Sequence, residues 1–258
     1  MKEILVYGES LPMAYHQALK ELRENGEHAD CADWATTQKE VSMTMVVEHP
    51  LQEPMISKLF IGGPRELEQY RQELLDGILD FEIEKGKWVY TYHDRIVNYP
   101  IADGKRLDQI EFVKEELRRN PSSRRAVILV RDPSVDAGSD DPACLQHIQY
   151  FIRDGKLHCK ILFRSNDACK ATYMNAFGLI MLQKRIADDL GVEMGSYTHR
   201  ASSFHCYEKD LPMLEGYYKN ICEKSYEDCT YDYVDGWDEL MEEYQESIAA
   251  DVEELRTH

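Results

Sequence analysis

One region of the chain carries side chains whose types and spacing could do chemistry together. Cys144 could supply a nucleophilic thiolate, and Arg164 follows it by 20 residues (164 − 144). A guanidinium close to a thiol lowers the pKa of that thiol and raises the thiolate fraction, which a nucleophilic cysteine needs. A lone cysteine is more often a buried structural residue. The chemical interpretation therefore depends on whether Arg164 lies near Cys144 in space.

The segment between these two residues predicts that they do meet. Residues 145–153 and 156–163 are alternating runs separated by an Asp-Gly pair at 154–155. Asp-Gly between two such runs is a strong signal for a β-hairpin. Because antiparallel pairing brings the outer ends of a hairpin together, we expect Cys144 and Arg164 to be neighbours.

Residues 164–167 (Arg-Ser-Asn-Asp) place a guanidinium, a hydroxyl, an amide and a carboxylate in one turn. Such a turn could bind a phosphate group. A second interpretation is local, since Ser165 or Asp167 could cap the long apolar helix predicted over residues 171–190. The two interpretations are compatible.

Three further polar residues follow downstream. Asn175 lies among apolar neighbours in that helix, where its amide could complement the imide edge of uracil or be satisfied by the backbone. His205 and Tyr207 alternate along a strand predicted over residues 197–207, so they share a face. They could bind a sugar hydroxyl or pack across the strands.

Arg124 and Arg125 lie at the start of a strand predicted over residues 125–130. Two such residues are ordinarily solvated charge at the end of a strand. Adjacent strand residues point to opposite faces, so both could reach one ligand only if a phosphate were bound at a subunit interface.

Away from these candidates, apolar spacing predicts the remaining elements. The predicted helices cover residues 12–25, 64–79, 107–117 and 238–255, and further strands are predicted over residues 4–7 and 41–48.

Taken together, the candidate residues resemble thymidylate synthases. The likeness extends from about Tyr92 to Asp210. The family has Arg-Ser-x-Asp 20 residues after its nucleophilic Cys, an Asn 11 residues after that Arg and a His-x-Tyr 41 residues after it. The corresponding intervals here are 11 (175 − 164) and 41 (205 − 164). Several matching intervals with the right residue types are far more specific than any single motif.

The resemblance implies a role for each candidate residue in the methylation of dUMP to dTMP. The implied catalytic residues are Cys144, Glu53 and Tyr92. The implied substrate-binding residues are Arg124, Arg125, Arg164, Ser165, Asp167, Asn175, His205 and Tyr207. The implied co-substrate is 5,10-methylenetetrahydrofolate, whose pterin Asp167 would contact, and no metal is implied. The resemblance also implies a homodimer in which Arg124 and Arg125 reach the phosphate in the partner's site.

The chain departs from the family pattern mainly where folate would bind. Leu145 stands where many members have His, Lys209 replaces an expected Asn, and the apolar tail that closes over folate is not recognisable before His258. Two alternatives therefore stay open: a pyrimidine nucleotide 5-hydroxymethylase, in which water captures the methylene group, and a nucleotide-binding regulator without turnover. Since dCMP hydroxymethylases have Asp at the position of Asn175, dUMP is the favoured nucleotide.

Composition limits the remaining possibilities. The 258 residues are 43% hydrophobic and contain no linker-like segment, which predicts one α+β domain over residues 1–258; the resemblance adds a mixed β-sheet packed by helices. A formal net charge of −18 argues against extended nucleic acid binding. Seven cysteines without CxxC spacing argue against disulfides and zinc. Because signal-peptide and membrane-spanning patterns are not apparent, we expect a cytoplasmic protein that does not bind membranes.

Overall fold

The computed structural model describes residues 1–232 and 237–257, with the side chains of residues 237–240 left out. The helices in these ranges are α1 (Leu11–Asn25), α2 (Pro64–Asp76), α3 (Phe81–Glu84), α4 (Tyr92–Val97), α5 (Gln109–Arg119), α6 (Pro133–Asp136), α7 (Thr172–Leu190), α8 (Leu211–Glu223) and α9 (Trp237–Thr257). The strands are β1 (Glu3–Gly8), β2 (Glu27–Cys31), β3 (Thr36–Val47), β4 (Ile56–Ser57), β5 (Tyr99–Pro100), β6 (Arg106–Leu107), β7 (Val127–Leu129), β8 (Leu145–Arg153), β9 (Lys156–Phe163), β10 (Asn166–Asp167), β11 (Glu193–Tyr207) and β12 (Thr230–Tyr231). Among the described residues, no helix is both long and apolar enough to cross a lipid bilayer.

The large sheet has the order β1-β3-β11-β9-β8-β7, with β2 on β3 and β10 on β11. The β1–β3, β9–β11 and β10–β11 pairs are parallel, and the other pairs are antiparallel. Strands of both directions therefore mix within one sheet. The predicted α+β fold with a mixed sheet packed by helices is confirmed.

Helices pack on one face of this sheet. α1 contacts β1 and β3, α5 contacts β7 and β8, and α7 contacts β9 and β11. Strand residues on this face, such as Met43, Met45 and Tyr197, are fully buried. Their alternating neighbours, apart from the buried Ser42, are half-buried, and Leu5 and Tyr7 on β1 are each 54% exposed. The second face of the sheet is thus much less covered within one chain.

The long apolar helix is α7, which is buried along most of its length because apolar residues surround its axis. It ends at Gly191, whose φ of 66° is the left-handed conformation that favours glycine. The prediction that Ser165 or Asp167 caps this helix is wrong, because the cap position is Ala171 and no side chain accepts there. Asp167 Oδ1 instead accepts the N–H groups of Cys169 and Lys170, at 3.0 and 2.9 Å, in the turn before the helix.

Two predicted boundaries differ from the structure for local reasons. The helix predicted over residues 64–79 ends at Asp76, because Gly77 adopts φ 63° and turns the chain away. The strand predicted over residues 41–48 begins earlier, at Thr36, because β2 pairs with its first half. The hairpin of β8 and β9 has the predicted bounds.

Candidate active site

Cys144 and Arg164 meet at one end of the β8–β9 hairpin. The turn has φ angles of 53° at Asp154 and 75° at Gly155, which an Asp-Gly pair adopts readily. At the other end, the backbone N–H of Arg164 donates to the Cys144 carbonyl at 2.8 Å. The proximity predicted from the hairpin is therefore confirmed.

The Arg164 guanidinium anchors the loop that carries the thiol. Its Nε donates to the Ala143 carbonyl at 3.2 Å, and its Nη2 donates to the Pro142 carbonyl at 2.6 Å. The Arg164 carbonyl in turn accepts the N–H of Ser203 in β11 at 3.2 Å. A guanidinium carries more N–H donors than these bonds use, so this cation can hold the loop and still bind a ligand.

Two hydroxyl groups lie close to Cys144. Ser165 Oγ is 3.9 Å from the Cys144 sulfur, and either atom could donate. The Leu145 N–H donates to the Tyr92 hydroxyl at 3.4 Å. Burial, and then the neighbouring Tyr70 and Cys144, raise the pKa of Tyr92 well above its usual value. Tyr92 is therefore a protonated phenol beside the residue that follows the thiol.

An irregularity in β11 brings Asp167, His205 and Tyr207 to the same end of the sheet. The pairing of β11 with β3 slips between Ala201 and Phe204. β11 pairs with β9 up to Ala201 and with β10 from Phe204 onward. Asp167 consequently lies opposite His205, and the His205 and Tyr207 rings are 4.8 Å apart. Bulges often re-aim side chains beside active sites in this way.

Burial shifts the pKa values of these residues. It raises the pKa of Asp167, while the amide of Lys170 and the imidazole of His205 oppose the shift. It lowers the pKa of His205, which Asp167 partly offsets. Burial, followed by groups that include Asp167 and Cys144, raises the pKa of Tyr207 to about 12. These residues lie at the same end of the sheet, and we call Cys144, Arg164, Ser165, Asp167, His205 and Tyr207 the sheet-end cluster.

His205 contributes a nitrogen that suits a ligand. Its Nδ1 lies 3.3 Å from the carbonyl of Ser203. Its Nε2 is buried and has no hydrogen-bond partner among the residues that the structure describes. Since buried polar atoms nearly always have partners, a ligand hydroxyl would complete this site.

Asn175 lies in the first turns of α7 and is only 7% exposed. Its Oδ1 accepts a hydrogen bond from the hydroxyl of Tyr70 in α2. Sequence reasoning missed Tyr70 as a site residue. The available signal was a polar aromatic residue at helical spacing between Leu67 and Leu74, which are both buried.

A pocket of about 850 Å³ lies beside this cluster, and we call it the lateral pocket. Its lining includes Tyr70, Glu73, Trp88, Tyr90, Tyr92 and Asp141. Because Tyr70 contacts Asn175 and Tyr92 contacts Leu145, the pocket adjoins both Asn175 and the thiol loop. The aromatic walls suit a flat ring. Burial raises the pKa of Glu73, and a hydrogen bond from Gln69 opposes the shift.

Glu53 lies at the N-terminal end of α7. Its Oε2 accepts the Met55 N–H at 2.7 Å, and its charge acts on Tyr173. The Tyr173 hydroxyl donates to the Met55 carbonyl at 2.6 Å and accepts the Ser57 N–H at 2.8 Å. These bonds fix the Glu53 loop against the helix that carries Asn175. The catalytic role of Glu53 stays a prediction.

Arg124 and Arg125 lie away from Cys144 within the chain. Both are exposed, and the Arg124 carbonyl accepts the Gln149 side chain at 3.0 Å. β7 pairs antiparallel with β8, with Val127 opposite Gln149. Arg125 therefore lies about seven strand residues along β8 from Cys144, which at ~3.3 Å per residue is roughly 23 Å. One chain does not bring these arginines into its own sheet-end cluster.

Comparison with known proteins identifies a solved structure with the same fold and a family to which the chain is similar. A family model described as thymidylate synthase matches residues 58–229, about two thirds of the chain. The thermostable thymidylate synthase A of Bacillus subtilis superposes with a TM-score of 0.65 at 18% identity, covering 81% of this chain and 84% of that one. At that identity the superposition supports the fold alone.

Two archaeal relatives extend the likeness over most of the chain. A provisionally named thymidylate synthase of Methanocaldococcus jannaschii is 34% identical over 218 residues, which cover 81% of this chain and 93% of the relative. Its counterpart in Methanosarcina barkeri is 31% identical over 219 residues, 84% of this chain and 95% of the relative. The chain therefore belongs to the thymidylate synthase family, as its motif spacing predicted. It is accordingly an enzyme that transfers one-carbon units.

Proposed function

We propose that this protein methylates dUMP at carbon 5 to give dTMP, through a transient covalent bond between Cys144 and the uracil ring. The main support is the meeting of a thiol, a guanidinium and a His/Tyr pair in the sheet-end cluster, next to the amide of Asn175. No other part of the described chain combines a half-exposed thiol with groups suited to a phosphate, a sugar and a base.

The chain's own residues account for activation of the base. The Cys144 thiolate adds to carbon 6, so that a C–S bond forms and the electron pair of the C5=C6 bond moves toward O4. Asn175 hydrogen-bonds the pyrimidine edge, and Glu53, through ordered water, stabilises the charge on O4. Carbon 5 thereby becomes nucleophilic. After carbon 5 takes the one-carbon unit, transfer of its proton to ordered water near Tyr92 would release the carrier and leave a methylene group on carbon 5. Hydride addition to this methylene group would then re-form the C5=C6 bond and expel the Cys144 thiolate.

The nucleotide is bound by its phosphate and its sugar. Arg164 and Ser165 hold the phosphate, because a guanidinium and a hydroxyl form strong bonds to phosphate oxygens. His205 Nε2 and the Tyr207 hydroxyl hold the 3′-hydroxyl; the buried, unpartnered state of Nε2 among the described residues supports this assignment.

The site is completed by a second copy of the chain. Arg124 and Arg125 are exposed and distant from Cys144 in their own chain, so we assign them to the phosphate in the partner subunit of a homodimer. The less covered face of the sheet, with Leu5 and Tyr7 each 54% exposed, is the surface we assign to the subunit interface. Arg124 and Arg125 lie before β7 begins at Val127, so strand alternation does not force their side chains to opposite faces.

The lateral pocket is the proposed site of the one-carbon carrier. Its volume of about 850 Å³ and its aromatic walls fit a reduced pterin such as that of 5,10-methylenetetrahydrofolate. When bound, this co-substrate supplies the carbon unit and the hydride. Trp88, Tyr90 and Tyr92 line the pocket and would exclude water from one side of the pterin, while Asp167 would contact it from the sheet-end cluster.

Hydrogen exchange at carbon 5 of dUMP in D₂O tests the covalent step without any carrier. Adduct formation acidifies the carbon 5 hydrogen, so we expect exchange by NMR and its loss, by at least about a thousandfold, in Cys144→Ala. Cys222→Ala is the matched control, because Cys222 is an exposed thiol on α8. Tight dUMP binding without exchange would instead indicate a regulator.

A 5-hydroxymethylase is the second candidate, favoured by the carboxylates that line the lateral pocket. Glu73, Asp140 and Asp141 line this pocket, and water that such carboxylates held near carbon 5 would capture the methylene unit. Incubation with dUMP and methylenetetrahydrofolate separates the two reactions. Methylation yields dTMP together with dihydrofolate. A 5-hydroxymethyl product formed without dihydrofolate would instead reject methylation and support the hydroxymethylase.

A further inference from the structure

Helices α2 and α7 approach each other most tightly at Gly178. A Cβ at this position would lie 3.0 Å from Cδ1 and Cε1 of Tyr70, and 3.1 Å from Cδ2 of Leu74. The Tyr70 ring therefore lies directly against the backbone of α7. Glycine makes this approach possible, because any larger residue would push the ring away.

The same ring carries its hydroxyl to Asn175. Gly178 follows Asn175 by three residues, so the two lie on one face of α7. The Tyr70 hydroxyl donates to Asn175 Oδ1. Burial, then the charge of Glu73, raise the pKa of Tyr70 far above its usual value. The phenol is therefore protonated at every physiological pH and is available as a donor.

A donor at this point distinguishes the two ends of the Asn175 carboxamide. An asparagine side chain can rotate by half a turn and exchange its oxygen for its nitrogen. In the structure the Tyr70 O–H donates to Oδ1, which leaves the Nδ2 group for the ligand. The reversed carboxamide would leave the phenol hydrogen without this acceptor. The ligand is then offered the N–H donors of Nδ2, because Oδ1 is bonded to Tyr70.

We propose that Tyr70 is a positioning residue that fixes the Asn175 carboxamide and thereby makes the site select a 4-oxo pyrimidine over a 4-amino pyrimidine. The inference rests on the proposed function in one respect, namely that Asn175 faces the base. An oxygen at position 4 accepts from Nδ2. An amino group there would oppose one N–H with another, and an unpaired buried donor is costly.

Tyr70→Phe removes the hydroxyl and keeps the ring against Gly178. We expect the ratio of dCMP to dUMP dissociation constants, measured by calorimetry without a carrier, to fall by about tenfold, the effect of one hydrogen bond. Tyr150→Phe is the matched control. Its side chain is fully buried in the sheet beside Cys159, so the variant also loses a buried phenol hydroxyl, and its ratio stays that of the wild type.

Gly178→Ala tests the same inference with the Tyr70 hydroxyl present. The added methyl group lies in a helix, where alanine is favoured over glycine, but it displaces the Tyr70 ring. We expect the dCMP to dUMP ratio to fall in the same direction, by about threefold. A purely structural role of Tyr70 would lower stability, or weaken both nucleotides equally, and would leave this ratio unchanged.

The outcomes separate this inference from the proposed function. If the wild type exchanges the carbon 5 hydrogen of dUMP and both variants keep its nucleotide ratio, the role of Tyr70 is wrong and the proposed function stands. If the wild type binds dCMP more tightly than dUMP, the orientation assigned to Asn175 is wrong. If no pyrimidine nucleotide shows Cys144-dependent exchange, the proposed function fails, and the inference fails with it.

Discussion

The sheet-end cluster and the lateral pocket are adjacent, yet they are built in different ways. Backbone pairing between neighbouring strands positions the cluster, as in the Arg164–Cys144 bond of 2.8 Å and the pairing of Asp167 with His205. The pocket is formed by side chains of α2 and of the loops around Trp88 and Asp141. One site is fixed by strand register, whereas the other depends on how helices and loops pack.

Their charges differ as well. The cluster presents Arg164, and the proposed dimer adds two arginines, which together suit the dianionic phosphate of a nucleotide. The pocket carries Glu73, Asp140 and Asp141, and its Lys87 is paired with Glu82 at 3.6 Å. In the proposed dimer, this acidic protein therefore concentrates cations around the site for one small anion and leaves the neighbouring pocket acidic.

The largest expected effect tests whether one chain can complete the cluster. Arg124→Ala combined with Arg125→Ala should weaken dUMP binding by at least about a hundredfold, because two charged contacts are lost. Cys144→Ala is inactive for a separate reason. Unfolding and refolding the two variants together should restore about a quarter of wild-type carbon 5 exchange, since half of the dimers then contain one intact site.

The control for this mixture is Arg153→Ala with Lys156→Ala, which removes two exposed cations beside the hairpin turn. It should bind dUMP normally. Failure of the mixture to regain activity, while native mass spectrometry shows that mixed dimers form, would mean that the arginines do not serve the partner's site.

The difference between the two sites also explains what the sequence could predict. Spacing predicted that Cys144 and Arg164 meet, because a hairpin with an Asp-Gly turn has one favoured register. The slip at residues 202–203 that aligns His205 with Asp167 has no such local signal, and only the family intervals pointed to it. Tyr70 could not be assigned, because its role arises from the packing of α2 on Gly178, more than a hundred residues away.

The capping error teaches the same lesson at a smaller scale. Ser165 and Asp167 fit a cap motif by residue type, yet the chain forms one more turn before α7 begins at Thr172. Local propensity favoured a cap, and the pairing of β10 with β11 decided where Asp167 lies. Pairing between distant strands overrides local preference here.

Substitutions of Arg164 distinguish its hydrogen bonds to the thiol loop from its positive charge. Arg164→Lys keeps the charge but cannot span the carbonyls of Pro142 and Ala143 as a planar guanidinium does. We expect about thirtyfold weaker dUMP binding in Arg164→Ala and a smaller loss in Arg164→Lys. Alkylation of Cys144 should slow in both. If alkylation of Cys144 were unchanged while dUMP binding weakened, Arg164 would bind the phosphate but would not activate the thiol.

Acid should destabilise the sheet side of the molecule first. Burial lowers the pKa of His16 to about 4 and that of His199 to about 3, and His199 Nε2 lies 2.9 Å from Asn166 Oδ1 under the cluster. Below the ordinary histidine pKa of ~6.5 the unfolded chain binds more protons than the folded chain, so stability falls as pH falls. From pH 7 to pH 5, urea unfolding should show a loss of up to about 2 kcal/mol for each histidine.

His199→Gln should remove about 2 kcal/mol of this pH dependence, because the glutamine does not titrate. Glu73 in the lateral pocket has the opposite sign: burial raises its pKa, so its ionisation destabilises the fold as pH rises. An acid-induced gain in stability would contradict the assignment of the buried histidines.

The smallest expected effect concerns the acidic rim of the lateral pocket. A carrier with a long polyglutamate tail adds negative charge where Asp140 and Asp141 are exposed. We expect Asp140→Asn with Asp141→Asn to tighten binding of polyglutamylated methylenetetrahydrofolate by about threefold at low salt, and less at 0.5 M salt, because exposed charges are screened. Binding of the monoglutamate should change less. Equal effects on both carriers would mean that the tail lies away from this rim. The acidic residues would then affect binding of the pterin alone.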